Sequence, residues 1–306
     1  MVDGRASAIM FVLCLVWGMQ QVAIKVASPD VSALLQVSIR SGVAALLVWI
    51  VAKFVLRERW LGGALLPAGI VVGVFFAAEF LFLAEGLNRT SASRIAVFLY
   101  TAPLWAAVGL HFKLPEERLS ARQWVGIGTA FVGIVVALLA PSLASGEAGA
   151  VTPESVLGDL MGLCGGAAWG FTTVMIRVSR LSEAPPTQTL FYQLAVAFVL
   201  LTPLTVLTGQ LRFTSTPTAW VSLGFQSVVV VCASYLVWFW LLRRYFAAQL
   251  GVLSFLTPLF GVVFGVVLLR EPLTLGFGIG AALVLVGLLI VNLRGWLPFL
   301  QRLSGR

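Results

Sequence analysis

Charge is scarce in this chain. Of its 306 residues only 10% are Asp, Glu, Lys or Arg, and histidine occurs once, at His111. Soluble domains carry about 25% charged and roughly 45–50% apolar residues, whereas 60% of this sequence is hydrophobic and its mean hydropathy is +1.02. Even a 300-residue soluble domain buries only about 75% of the surface its unfolded chain exposes. Water therefore leaves no place for so much apolar surface, which excludes a soluble enzyme and a DNA-binding domain. The one histidine, His111, falls at the cytoplasmic end of the fourth span, so no Ser-His-Asp set and no multi-histidine metal site is visible, and it reads as an ordinary interfacial residue. Cysteine is nearly absent too: Cys14, Cys164 and Cys232 lie in apolar runs without a CxxC pair. They read as buried thiols, not a secreted disulfide scaffold. No G-x-x-x-x-G-K-[ST] loop, HExxH or EF-hand pattern occurs, so ATP-driven transport by this chain alone is out, and no cofactor or metal is expected.

What the sequence has is long apolar runs. A spanning helix needs about 20 apolar residues, and ten such runs are found near 6–27, 32–54, 64–87, 91–112, 122–140, 157–179, 186–208, 218–242, 245–269 and 274–293. The first run continues past the length of a signal-peptide core and reads as a retained span. The fold expected is an all-α polytopic membrane protein. The net charge of +8 and pI near 10.1 would suggest nucleic acid in a soluble protein. Here the positive residues sit mostly between apolar runs, which is the positive-inside pattern, so the expected partner is the lipid bilayer and no nucleic acid. With the amino terminus inside, fourteen Lys and Arg fall on the inner side and six on the outer. Both termini are therefore expected in the cytoplasm.

The two halves repeat each other. Trp17-Gly18 recurs as Trp169-Gly170 and Lys25 as Arg177, at an offset of 152; Pro103 recurs as Pro258 at 155; Glu117, Gly126 and Gly133 recur as Glu271, Gly280 and Gly287 at 154. Five spans is an odd number, so the second copy enters the membrane upside down, and inverted repeats around a midplane site are a transporter architecture. The domain boundaries expected are 1–140 for the first five-helix repeat, 141–156 for an outer linker, 157–293 for the second repeat and 294–306 for a cytoplasmic tail.

Ten spans, W-G in the first helix of each half, and Pro-centred helices followed by a Glu-bearing turn resemble the drug/metabolite transporter superfamily, in its EamA-type members. Leu253-Ser-Phe-Leu-Thr-Pro-Leu-Phe260 and Leu269-Arg-Glu-Pro-Leu273 are most similar to that pattern. The nearer resemblance is to YddG-type exporters of amino acids, aromatic ones included. It implies ten transmembrane helices as two inverted five-helix repeats around a central cavity, in the bacterial inner membrane. Glu85, in Ala84-Glu-Gly-Leu87, departs from the family pattern, and no role is assigned to it.

Candidate site residues follow from cost and spacing. A charge at a helix centre costs at least about 2.5–3.5 kcal/mol, which singles out Arg40, Glu79 and Arg94. Glu79 would meet an ammonium and either arginine a carboxylate; alternatively Glu79 and an arginine neutralise each other, or the arginines snorkel. Trp17, Gln20 and Gln21 share one helix face, as do Trp169, Thr172 and Thr173 in the sixth span and Phe76, Glu79 and Phe80 in the third. Tyr235, Trp238, Tyr100 and Ser254 join them as lining of a polar and aromatic cavity, the alternative for each aromatic being packing or an interfacial belt. Pro103 and Pro258, placed inside their helices, would unpair the carbonyls of Leu99 and Ser254 and act as hinges or as static kinks. The expected function is a secondary transporter that exports small neutral amino acids, including aromatic ones, by alternating access. It would work without an obligatory protein partner, as a monomer. The rivals are an exporter of other metabolites or cationic drugs and, more remotely, an integral-membrane lipid enzyme, for which no acid/base or metal cluster is visible.

Overall fold

The computed structural model describes residues 4–143, 152–242, 244–245, 250 and 253–292. Most of the expected linker and the tail from 294 lie outside the described residues. In hydrocarbon every backbone polar group must be satisfied within the protein, which leaves helices as the economical solution. The chain forms α1 (Gly4–Ala27), α2 (Ala33–Ile50), α3 (Leu66–Leu87), α4 (Ala92–Leu99), α5 (Ala102–Lys113) and α6 (Ala121–Leu143). The second half forms α7 (Pro153–Val178), α8 (Pro186–Leu207), α9 (Pro217–Gly224), α10 (Ser234–Leu242), α11 (Leu256–Leu269) and α12 (Leu275–Asn292). A π-helical turn, Val51–Val55, extends α2, and a π-helical stretch, Phe225–Ala233, joins α9 to α10. With α4–α5 and α9–α10 each counted as one pass, eight passes among the described residues are long and apolar enough to cross a membrane. Two more, α11 and α12, are shorter apolar helices, giving ten passes of alternating direction. The starts of α1, α3 and α6 therefore share one face with the end of α12, called here the terminal face; the other is the far face.

Helix starts follow sequence. Ser91 Oγ accepts from Arg94 N (3.2 Å), and Thr216 Oγ1 accepts from Ala219 N (3.1 Å), each satisfying a first-turn donor. Thr152 and Ser155 form a reciprocal capping box, with both bonds at 3.1 Å, so α7 begins at Pro153. The polar Glu154 and Ser155 are thus the first turn of a helix, and the boundary expected at 156 moves into α7. Outward faces are apolar, with Leu46, Val125, Val199, Val221, Val267 and Leu275 exposed, while Arg40, Gln36, Gln226 and Asp159 are wholly buried. Polar groups inside and hydrocarbon outside is the arrangement a bilayer selects. Cys14 and Cys232 are buried, but Cys164 is exposed, on the surface available to lipid.

The W-G repeat has a packing cause. A Cβ on Gly18 would lie 2.8 Å from Phe260 Cβ, 3.0 Å from Gly261 N and 3.1 Å from Thr257 O. On Gly170 it would lie 2.6 Å from Trp105 Cβ, 3.0 Å from Ala106 N and 2.8 Å from Ala102 O. The three contacted positions differ by 155 in each case, so α1 packs on α11 as α7 packs on α5. Each glycine lets its helix touch the other backbone, and the preceding tryptophan is turned toward the bundle centre.

The two prolines open helices and do not kink them. The fourth span breaks at Tyr100–Thr101, and Pro103 sits in the first turn of α5. The ninth breaks at Ser254–Phe255, and Pro258 follows in the first turn of α11. Proline tolerates a first turn because its missing N–H is unbonded there anyway. The carbonyls at each break are held differently: Thr101 Oγ1 donates to Phe98 O (2.7 Å), whereas Cys14 Sγ donates to Leu253 O (3.3 Å). Gly170→Ala should lower stability by about 1–3 kcal/mol through overpacking against Trp105, read as a lower thermal midpoint in detergent. An unchanged midpoint would show that α5 and α7 can separate freely.

Candidate functional site

Inside the bundle lies a cavity of about 570 Å³. All the residues expected to line it do so: Trp17, Gln20 and Gln21 of α1; Phe76, Glu79 and Phe80 of α3; Tyr100 at the break; Trp169, Thr172 and Thr173 of α7; Tyr235 and Trp238 of α10; and Ser254. The walls are aromatic and interlocked. Trp17 meets Trp238 edge-on at 5.7 Å, Tyr100 meets Trp169 at 5.2 Å, and Phe76 meets Phe80 at 4.7 Å. Trp17 Nε1 is fixed by donating to Ser234 Oγ (2.8 Å). Thr172 and Thr173 donate their protons to the carbonyls of Ala168 (3.0 Å) and Trp169 (3.2 Å), which leaves their lone pairs to the cavity. Among buried polar atoms at the wall, Gln21 Oε1 and Glu79 Oε2 have no hydrogen-bond partner. Both are acceptors, so the site asks for a donor such as an ammonium.

The cavity communicates with the terminal face. Its rim includes Leu181, Ser182, Ala184 and Pro186, from the connection between α7 and α8. A second void of about 500 Å³ shares Trp169, Thr173, Trp238 and Ser254 with it and continues to Glu116, Glu117 and Arg118. At the far face a separate void of about 640 Å³, bordered by Lys25, Thr90, Arg94 and Glu271, shares no lining residue with the cavity. Glu271 accepts from Ala92 N (2.7 Å), Ser93 N (2.9 Å) and Ser93 Oγ (2.6 Å), and so caps the start of α4, with Lys25 Nζ 3.8 Å away. Neighbouring connections are zipped as well: Thr214 N donates to Asp30 O (2.8 Å), Thr216 Oγ1 to Asp30 Oδ2 (2.6 Å) and Gln210 Nε2 to Glu85 Oε1 (2.7 Å). The counterparts of Lys25 and Glu271, Arg177 and Glu117, pair at 2.9 Å on the open terminal face. Equivalent residues thus do different work at the two faces.

The three intramembrane charges separate. Arg94 is spoken for: its Nε donates to both carboxylate oxygens of Asp159 (2.8 and 2.9 Å), and Nη2 donates to Ala137 O (3.1 Å). Thr90 Oγ1 gives Asp159 a further bond at 2.8 Å. Arg94 therefore pairs with Asp159 and not with Glu79. Asp159 escaped the sequence reading because it lies close to the start of its span, beside a polar segment taken for linker. Arg40 is wholly buried, its guanidinium 4.0 Å from the Phe80 ring, and none of its three nitrogens has a hydrogen-bond partner among the described residues. It neither snorkels nor hydrogen-bonds Glu79. A desolvated cation–π contact is worth about 2 kcal/mol, less than the several kcal/mol that burying a lone ion costs.

The sequence pattern of the EamA-like transporter family matches residues 5–139 and again residues 156–293. The chain belongs to the EamA-like transporter family. This transporter is 22% identical to the uncharacterized transporter YoaV of Bacillus subtilis (strain 168), over 90% of this chain and 92% of that protein. It is 26% identical to a probable amino-acid metabolite efflux pump of Escherichia coli (strain K12), over 90% of each chain. A solved crystal structure shares the fold with a TM-score of 0.63 at 21% identity, covering 95% of this chain and 98% of that one. Membership makes the protein a multi-pass membrane transporter and removes the lipid-enzyme rival.

Part of the transporter's lining was not foreseen. Leu99, Thr189, Leu190 and Gln193 also face the cavity; Thr189 and Gln193 are four apart on α8, a spacing that marks one polar face. Gln36 and Gln226 form a buried link, Gln226 Nε2 donating to Gln36 Oε1 (2.8 Å) while Gln36 Nε2 donates to Ile24 O (3.0 Å) and Val31 O (2.8 Å). His111 Nδ1 accepts from Leu119 N (2.9 Å), a structural role. Breaking the Arg94–Asp159 pair by Asp159→Asn should cost about 3–5 kcal/mol, whereas Arg94→Met with Asp159→Leu should recover most of that loss. Thermal unfolding in detergent checks this; equal loss in both variants would show that the pair is worth more than its desolvation.

Proposed function

We propose that the transporter exports small neutral amino acids, aromatic ones included, from the cytoplasm across the bacterial inner membrane by alternating access. The observation that carries this reading is the cavity itself: aromatic walls sized for a side chain, with unpartnered acceptors at Glu79 and Gln21 for an ammonium. The terminal face, rich in Lys and Arg, is the cytoplasmic one, so the conformation described is open to the cargo's source. The efflux-pump relatives support the same cargo class. Residues 1–140 and 157–293 act as the two repeats, and one chain encloses the whole path, so a monomer suffices.

Export follows from exchanging the two halves' arrangements. Lys25–Glu271 would release the start of α4, the breaks before Pro103 and Pro258 would bend, and the far face would open as the terminal face closes. Cationic drugs or other amines are the second reading, favoured by the acceptor character of the wall.

Purified protein in liposomes should take up labelled phenylalanine and threonine saturably, against empty liposomes. Glu79→Gln should raise the KM for both about tenfold or more, the effect of losing one charge-assisted hydrogen bond of about 1.5–3 kcal/mol. Uptake of amines without either amino acid would move the cargo to the second reading, and a Glu79→Gln variant with unchanged kinetics would remove Glu79 from the site.

A further inference from the structure

We propose that Arg40 is a carboxylate-binding residue held against Phe80, and that it makes the cavity select zwitterions over simple amines. The proposal rests on the amino-acid reading for its natural ligand, and it concerns a residue that does not itself line the cavity. Arg40 is the largest fully buried side chain of the protein's described residues. It sits seven residues into α2, about 10 Å from the helix start at 1.5 Å per residue, too deep for its head to be at an interface. Its Nε, Nη1 and Nη2 all lack an acceptor among the described residues. The Arg94 guanidinium shows what an ordinary structural arginine does in this fold: it takes both oxygens of a buried carboxylate and a carbonyl. Nothing comparable meets Arg40.

Arg40 reaches the cavity wall at Phe80. Phe80 lines the cavity, and the Arg40 guanidinium lies over its ring, 4.0 Å from the centroid. Phe80 is stacked edge-on with Phe76, another lining residue, and precedes no proline or break. In this proposal a change of its side-chain rotamer uncovers the fork of N–H donors. Guanidinium and carboxylate match bidentately. Glu79, which precedes Phe80 in the chain, keeps an oxygen that is unpartnered among the described residues. An amino acid's carboxylate and ammonium would therefore complete two half-satisfied charges at once. An amine would serve Glu79 and leave Arg40 as it is, and an acid would do the reverse.

The test uses purified full-length protein and three probes: phenylalanine, phenethylamine (no carboxylate) and 3-phenylpropionate (no ammonium). Binding is read by quenching of tryptophan fluorescence, since Trp17, Trp169 and Trp238 line the cavity. Arg40→Gln should weaken 3-phenylpropionate and phenylalanine at least tenfold and leave phenethylamine within about twofold, with Arg40→Lys intermediate. Its thermal midpoint without ligand should stay the same or rise, because the cost of burying the charge exceeds the cation–π contact with Phe80 that is lost. If wild-type protein does not bind 3-phenylpropionate, or if Arg40→Gln binds it equally well, the proposal is overturned. Loss of all three probes together with a lower midpoint overturns it too, showing Arg40 to be structural. Arg40-dependent binding of 3-phenylpropionate without amino-acid uptake in liposomes would keep the subsite and sink the amino-acid reading instead.

Discussion

The structure depends on one constraint: a backbone inside hydrocarbon must satisfy its own hydrogen bonds. It makes the chain helical, and it decides where the helices can stop. At the breaks at Tyr100–Thr101 and Ser254–Phe255 side chains supplement the backbone bonds, with the Thr101 hydroxyl on the Phe98 carbonyl and the Cys14 thiol on the Leu253 carbonyl. Both breaks border the cavity through Tyr100 and Ser254. The places where the helical rule is relaxed thus border the cavity proposed as the cargo's path.

Charge is distributed by the same economy. Asp159 and Arg94 neutralise each other with bidentate geometry, and Glu271 spends its two oxygens on the start of α4. These satisfied groups stand toward the far face. Glu79 and Arg40, deeper in the bundle, are left incomplete. The contrast separates scaffold from site more sharply than depth or residue type does. The difference between Lys25–Glu271 and Arg177–Glu117, equivalent in sequence and unequal in surroundings, distinguishes the far face from the terminal face.

Much of this was legible in the sequence because apolar runs and helical spacing survive folding intact. Trp17, Gln20 and Gln21 had to share a face if their run was a helix, and so did Phe76, Glu79 and Phe80; all of them line the cavity. The W-G repeat announced the matched helix pairs, though not that the glycine, and not the tryptophan, makes the contact. The sequence did not reveal partnership across elements. Arg94 could meet Glu79 or another carboxylate with equal ease until Asp159 was brought beside it by the packing of α7 on α4. Proline was misleading for a similar reason: Pro103 inside an apolar run looks like a kink, and only the turn at Thr101 shows that it starts a new helix.

The central claim is that the aromatic cavity is the cargo's path and is reached from the terminal face. Thr173, exposed on α7 and shared by both voids, reports on it directly. With Cys14, Cys164 and Cys232 replaced, Thr173→Cys should react with a membrane-impermeant thiol reagent applied from the cytoplasmic side, and saturating phenylalanine should slow that reaction. Reaction only from the opposite side, or labelling indifferent to phenylalanine, would contradict the account.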